Sequence, residues 1–249
     1  MSVVETAAPV AANTKAAKPK TSKRPQLTRK ERIEQNKDPK SSLAGKQKTM
    51  RLNVKYKSDI LFNYMQESQG IALSAYERLA GIKRMLARDP KLSAKVDYWI
   101  ETNLIIVQAQ VHEITTELEK VVGGAVFQQQ DIIIPDSYET TFEASHPVAH
   151  KMVATIEAVD AVLEDVERAY FAGKLDDVNY NDIRQKAMTA VRGSIDRIFK
   201  LTRPGQRSGG RYSAIEMAAW IQQGNKLAFQ DIPQIAAEIV EQRTGGEAI

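Results

Sequence analysis

The chain has 249 residues, of which 43% are apolar and 27% charged, and it contains no cysteine. That length suits one sizeable core or two modest domains, and the absent thiols exclude a disulfide framework, a thiolate zinc site and a thiol nucleophile. The net charge of +4 hides a division: residues 1–58 hold 15 lysines and arginines against four acids, a surplus of eleven, while the remainder holds 20 basic and 27 acidic residues, a deficit of seven. A basic arm on an acidic body points to a polyanionic partner met through the N-terminal side.

Residues 1–48 are Lys-rich with scattered Pro, Thr and Asn, and are too poor in apolar side chains to offset the entropy of ordering. They read as a disordered basic tail, with "LTRKERIEQNK" forming at most a transient helix. The opening twenty residues lack the apolar stretch of a secretory signal, and no apolar run reaches the roughly 18 residues of a membrane span. The expectation is a cytoplasmic protein with no membrane partner.

"TMRLNVKYKSD", residues 49–59, breaks the helical character of the rest. Leu52, Val54 and Tyr56 alternate with Arg51, Asn53 and Lys55, the period of two that describes one short strand with an apolar and a polar face. Ser58 follows as an N-cap, Ile60, Leu61, Tyr64 and Met65 form a helical stripe, and Gly70 reads as a left-handed stop. Ser74 and Glu77 then have the spacing of a capping box opening a second helix.

Asp89 and Pro90 open a long helix that ends at Gly123–Gly124. A further strand is expected at 131–134 or 138–144. Two more long helices follow, one from Ser145 and Pro147 to about Ala172, the other from about Asn179 to Leu201. After the loop "TRPGQRSGGRY" come two short helices, separated near Gly224 and Pro233. The fold class is mainly α with a short β-ribbon. The segment 49–89 forms a strand–helix–helix unit and 90–249 a helical C-terminal domain. Residues 51–69 and 139–160 share a strand-then-helix shape, although their residues do not match.

A lone strand needs a partner. Pairing antiparallel with its copy in a second protomer satisfies its backbone, buries Leu52, Val54 and Tyr56, and puts Arg51, Asn53 and Lys55 on one exposed ribbon face. Such a ribbon fits the DNA major groove, where Arg and Lys suit guanine and Asn suits adenine. The competing arrangement pairs 50–56 with 138–144 inside one chain and leaves the basic face merely solvated.

The alternating "RLNVKY", the helix after it and "GIALSAYERL" resemble the ribbon-helix-helix family, the Arc- and MetJ-like β-ribbon readers. The resemblance implies base reading by Arg51, Asn53 and Lys55. Lys48 and Lys57 beside them are read as phosphate contacts, and the resemblance implies further ones from Gly70, Leu73, Ser74 and Ala75 at the turn and second-helix start. "GIALSAYERLAGIKRMLARDPKLSAKVDYWIETN" and "SIDRIFKLTRPGQRSGGRY" are similar to the AcaB family of transcriptional regulators of conjugative plasmids and integrative elements. That similarity implies a sequence-specific DNA-binding activator of transfer genes, with double-stranded DNA, a second copy (a homodimer or higher even oligomer) and other transcription or transfer proteins as partners. A structural accessory protein of a DNA-transfer complex is the alternative.

Other chemistry is thin. His146 and His150 have the i, i+4 spacing of helix-borne metal ligands, but no third ligand is near, so capping and packing are expected. "DDVNYND" fails as a calcium loop, because counting from Asp177 the twelfth position is Met188. Arg203, Arg207 and Arg211 form a secondary basic loop, able to clamp phosphates or an acidic partner or simply to be solvated. No catalytic residue, metal or cofactor is expected, and the protein is read as a non-enzyme.

Overall fold

A computed structural model describes residues 28–123, 132–203, 212–229 and 232–244. In chain order these form α1 (Arg29–Asn36), β1 (Met50–Lys55), α2 (Asp59–Met85), α3 (Pro90–Val122), β2 (Glu139–Ala144), α4 (Ala149–Phe171), α5 (Asp177–Leu201), α6 (Ala214–Gln222) and α7 (Gln234–Thr244). The protein is mainly helical, with one two-stranded antiparallel sheet among the described residues.

Capping chemistry sets most boundaries. Ser58, Asp89, Asp176 and Ser213 each accept a hydrogen bond from the backbone N–H three residues on, at the starts of α2, α3, α5 and α6. Such caps contribute about 1 kcal/mol each. Pro90 occupies the first turn of α3, and Gly123, at φ 70°, closes it with a left-handed residue.

Three expectations are corrected. The helix break at Gly70 does not form, since α2 runs for 27 residues through it and Gly70 is not among the glycines with positive φ. A glycine inside a helix costs about 1 kcal/mol relative to alanine. The unbroken stripe Met65, Ala72, Leu73, Tyr76, Leu79 and Ile82, all buried, outweighs that cost.

Next, β1 pairs with β2 of the same chain, with Arg51 opposite Glu143, Asn53 opposite Thr141 and Lys55 opposite Glu139. The strand therefore finds its partner without a second copy. Of the two places expected for the further strand, the sheet takes the later one; the described residues at 132–134 are not strand.

Finally, residues 28–48 are ordered. A reciprocal box between Thr28 and Glu31 caps α1, which packs on α2. Beyond it the Ser41 N–H donates to the Glu143 carbonyl at 2.7 Å, and the Glu143 N–H donates to the Pro39 carbonyl at 3.0 Å. The segment 39–41 thus lies along the outer edge of β2. Residues 1–27 of the expected tail are outside the described residues.

One continuous core joins β1, β2 and helices α2 to α6, with Trp99, Tyr56 and Phe142 its largest fully buried side chains. It passes through the expected boundary near residue 89, with Leu86 and Val96 both inside it. The helices α7 and α3 make a small satellite cluster from Ala236, Val240 and Ile106.

The two strand–helix segments hold each other by reciprocal polar clamps. Asp160 of α4 accepts from the Lys57 N–H at 2.7 Å and the Ser58 N–H at 3.1 Å. Glu167, two turns on, accepts from the N–H groups of Ile60 and Asp59 at 3.3 and 3.4 Å. In the other direction Glu77 of α2 accepts from the Ser145 N–H at 2.9 Å, just before α4. Carboxylates suit these places, because the first N–H groups of a helix lack internal acceptors and carry a partial positive charge.

Candidate nucleic-acid interface

The period-two pattern puts Val54 and Tyr56 into the core and leaves Arg51, Asn53 and Lys55 exposed. All three share one face of the sheet, as the alternation requires. Their cross-strand neighbours on β2 are Glu143, Thr141 and Glu139, since residues directly opposite in an antiparallel pair lie on the same face.

At the centre of that face Thr141 Oγ1 donates to Asn53 Oδ1 at 3.0 Å, so the hydroxyl holds the amide oxygen and leaves the amide N–H₂ outward. Glu143 has polar neighbours on three sides. Thr49 Oγ1 donates to its carboxylate at 2.7 Å, Arg51 lies across from it, and Lys40 of the outer segment is its backbone neighbour on the other edge. The face therefore carries Lys40, Arg51 and Lys55 against Glu139 and Glu143. The exposed Lys46 and Lys48 lead into it along the chain.

The other expected contacts separate into groups. Lys48 is exposed beside the start of β1. Lys57 is tied down, its Nζ 2.9 Å from Glu164, and the hydrogen bond and charge of that carboxylate hold its ammonium above the usual lysine range. Gly70, Leu73, Ser74 and Ala75 lie in the interior of α2, where backbone N–H groups are spent on the preceding turn, and Leu73 and Ala75 are buried. They form no helix N-terminus, so the reason for assigning them to phosphate is removed. Ser74 is exposed, and Glu77, its expected capping partner, serves Ser145 instead.

Arg203 is exposed at the end of α5, whereas Arg207 and Arg211 lie outside the described residues. His146 acts as a local cap, its Nδ1 accepting from the Val148 N–H at 3.1 Å. Burial, with Arg84 and Lys83 nearby, lowers its pKa. Among the described residues no group of three or more metal-ligating side chains occurs, and no helix is long and apolar enough to cross a membrane.

Sequence reasoning missed Lys40 and the clamp residues Asp160 and Glu167, and gave Glu77 a capping role toward Ser74 where it bonds Ser145. The acids at 139 and 143 were visible in the 138–144 segment, but their lateral placement against Arg51 and Lys55 depends on register. No family model, curated protein or solved structure matches this chain.

Proposed function

We propose that the protein is a DNA-binding transcriptional regulator of the ribbon-helix-helix kind, in which one chain supplies both halves of a ribbon that such proteins build from two protomers. The observation that carries this reading is the element order strand, helix, helix, twice over, with the two strands paired antiparallel. A shift of 88 residues takes Asn53 onto Thr141, its own hydrogen-bonded neighbour. The same shift takes Arg51 onto Glu139 and Lys55 onto Glu143, and brings the starts of α2 and α3 to within about two residues of those of α4 and α5. The helix of each unit packs against the strand of the other, α2 on β2 and α4 on β1, as a two-fold arrangement demands.

A two-stranded ribbon fits the major groove, and Arg51, Asn53 and Lys55 have the donor sets that read guanine and adenine. Phosphate attraction comes from the basic side that precedes the ribbon, including Lys40, Lys46 and Lys48. The two halves differ, because the second presents Glu139, Thr141 and Glu143. A ribbon with unlike halves reads a target that is not a palindrome, since target symmetry mirrors protein symmetry. The role as an activator of conjugative transfer genes rests on the resemblance to the AcaB family.

Selection of bound sequences from a randomised duplex, followed by titration of Arg51→Ala and Asn53→Ala, tests the reading. The expected result is a motif without two-fold symmetry. Each substitution is expected to cost roughly 1–3 kcal/mol at that motif and far less on random duplex at the same salt. A specificity ratio that survives both substitutions refutes the ribbon as reader.

A further inference from the structure

A second charged surface lies away from the ribbon face. A groove along α5 holds two adjoining depressions of about 470 and 320 Å³ that share Arg184, Met188 and Arg192, the second of them lying between α5 and α2. Asn181, Gln185 and Thr189 line one depression, and Arg29, Asn63, Tyr64, Glu67 and Ser68 line the other. Arg184 and Arg192 are both exposed, and neither has an ion-pair partner among the described residues. Arg192 is instead held with its guanidinium 5.0 Å from the Tyr64 ring centre, a cation–π contact that orients its donors without neutralising them. The third arginine, Arg29, is paired with Glu67 at 2.7 Å, so the groove carries two uncompensated positive charges.

We infer that this groove binds the phosphodiester backbone of double-stranded DNA, as a second contact surface beside the ribbon; the inference rests on the DNA-binding reading above. Four observations favour a nucleic-acid backbone. First, the lining is arginine interleaved with amides and hydroxyls, which are donors for phosphate oxygens. A small-molecule pocket is mostly apolar with few polar groups. Second, Arg184 and Arg192 stand two turns apart on one helix, about 12 Å along the axis, so they reach separate phosphates of an extended polyanion and do not chelate one.

Third, the groove begins at Ile60 and Asn63, near the ribbon-proximal end of α2, and Arg29 lies at its side. The sequence leading into Arg29 carries Lys15, Lys18, Lys20, Lys23 and Arg24. Fourth, the repeated architecture supplies an internal comparison. The corresponding helix of the first unit, α3, contains no arginine, and its surface facing α4 carries the Lys151–Glu101 pair at 2.6 Å. The framework is present twice, and of its two second helices α5 carries arginines where α3 has none.

The test is a salt series of binding to a random-sequence duplex of about 30 base pairs, read by fluorescence anisotropy. The full-length chain is compared with Arg184→Ala/Arg192→Ala and with Arg51→Ala/Lys55→Ala, with poly-glutamate as competitor. The groove variant is expected to keep its circular dichroism and melting temperature, because both side chains are exposed. Its log–log salt slope is expected to fall by about 1.8, at about 0.9 for each phosphate that is no longer neutralised. Binding by the wild type with an unchanged slope in the groove variant overturns the groove and leaves the ribbon reading intact. Failure of the wild type to bind duplex even at low salt overturns both. Poly-glutamate binding that depends on Arg184 and Arg192, alongside duplex binding that does not, also overturns the inference and assigns the groove to an acidic protein segment.

Discussion

Asp160 is a polar side chain whose removal the fold should feel directly. Its two carboxylate oxygens accept from the backbone N–H groups of Lys57 and Ser58, and both Asp160 and Ser58 are buried. Asp160→Ala leaves those two donors without acceptors. At about 1–3 kcal/mol for each donor left unpaired, the loss is about 2–6 kcal/mol, a large part of the 5–15 kcal/mol that holds a typical domain. Asp160→Asn keeps one carbonyl acceptor but turns an N–H₂ toward the second donor, so about half that loss is expected.

The same group predicts a pH dependence. Burial pushes the Asp160 carboxyl up to about 6 against the pull of the two N–H bonds, and pushes Glu167 up to about 7. Folded-state values above the unfolded ones mean that the folded chain holds protons the unfolded chain has released. This contribution to stability is full below about pH 4 and is lost as the pH rises through about 6 to 7. Urea unfolding at pH 5, 6, 7 and 8 measures both effects as midpoint shifts at constant m. The wild type is expected to lose stability across that range, and Asp160→Asn to lose less. A cost below about 0.5 kcal/mol for Asp160→Ala refutes the clamp, and a wild-type midpoint that falls no more steeply with pH than that of Asp160→Asn refutes the raised carboxyl.

Three further outcomes follow from the same geometry. Because the ribbon is closed within one chain, the urea midpoint is expected to be independent of protein concentration from about 1 to 100 µM, whereas a ribbon shared between copies gives a midpoint that rises with concentration. Ser74→Pro, at an exposed position in the interior of α2, is expected to cost about 3 kcal/mol or more in thermal unfolding, where a helix beginning at Ser74 would tolerate it. Glu139→Gln with Glu143→Gln removes the two acids from the ribbon face, so affinity for random duplex at low salt is expected to rise; an unchanged affinity means that face does not approach phosphate.

The strand at 50–55 was legible because alternation is a local signal, and it fixed which residues point outward without reference to a partner. The capped helix starts at Ser58, Asp89 and Ser213 were legible for the same reason: a cap and its N–H lie within three residues of each other. Gly70 misled because a helix stop and a tolerated interior glycine look alike over ten residues. The difference lies in Met65, Leu73 and Leu79, whose common burial depends on what packs against them. The order of residues 28–48 was hidden because much of it is held by backbone bonds from Pro39 and Ser41 to Glu143, about a hundred positions away, and backbone groups carry no compositional mark. The unpaired state of Arg184 and Arg192 is likewise a matter of which acids the fold brings near.

The repeat itself escaped the residue comparison because its two halves share a framework and not a surface. What each half must conserve is a strand with one buried face, a capped helix and a second helix, and Val54 and Phe142 meet the first demand with different side chains. A ribbon made from two copies of one chain is bound to present identical faces, so a substitution that suits one half-site is imposed on the other. A ribbon made from two segments of one chain is free of that constraint. Here the first segment keeps Arg51 and Lys55 while the second places Glu143 and Glu139 opposite them, and only the second unit's α5 carries the unpaired arginines of the groove. Basic side chains thus gather toward the N-terminal segment, and acids occupy the other half of the face. On the proposed reading, this asymmetry gives the bound complex a single orientation on DNA, which a symmetric ribbon does not supply.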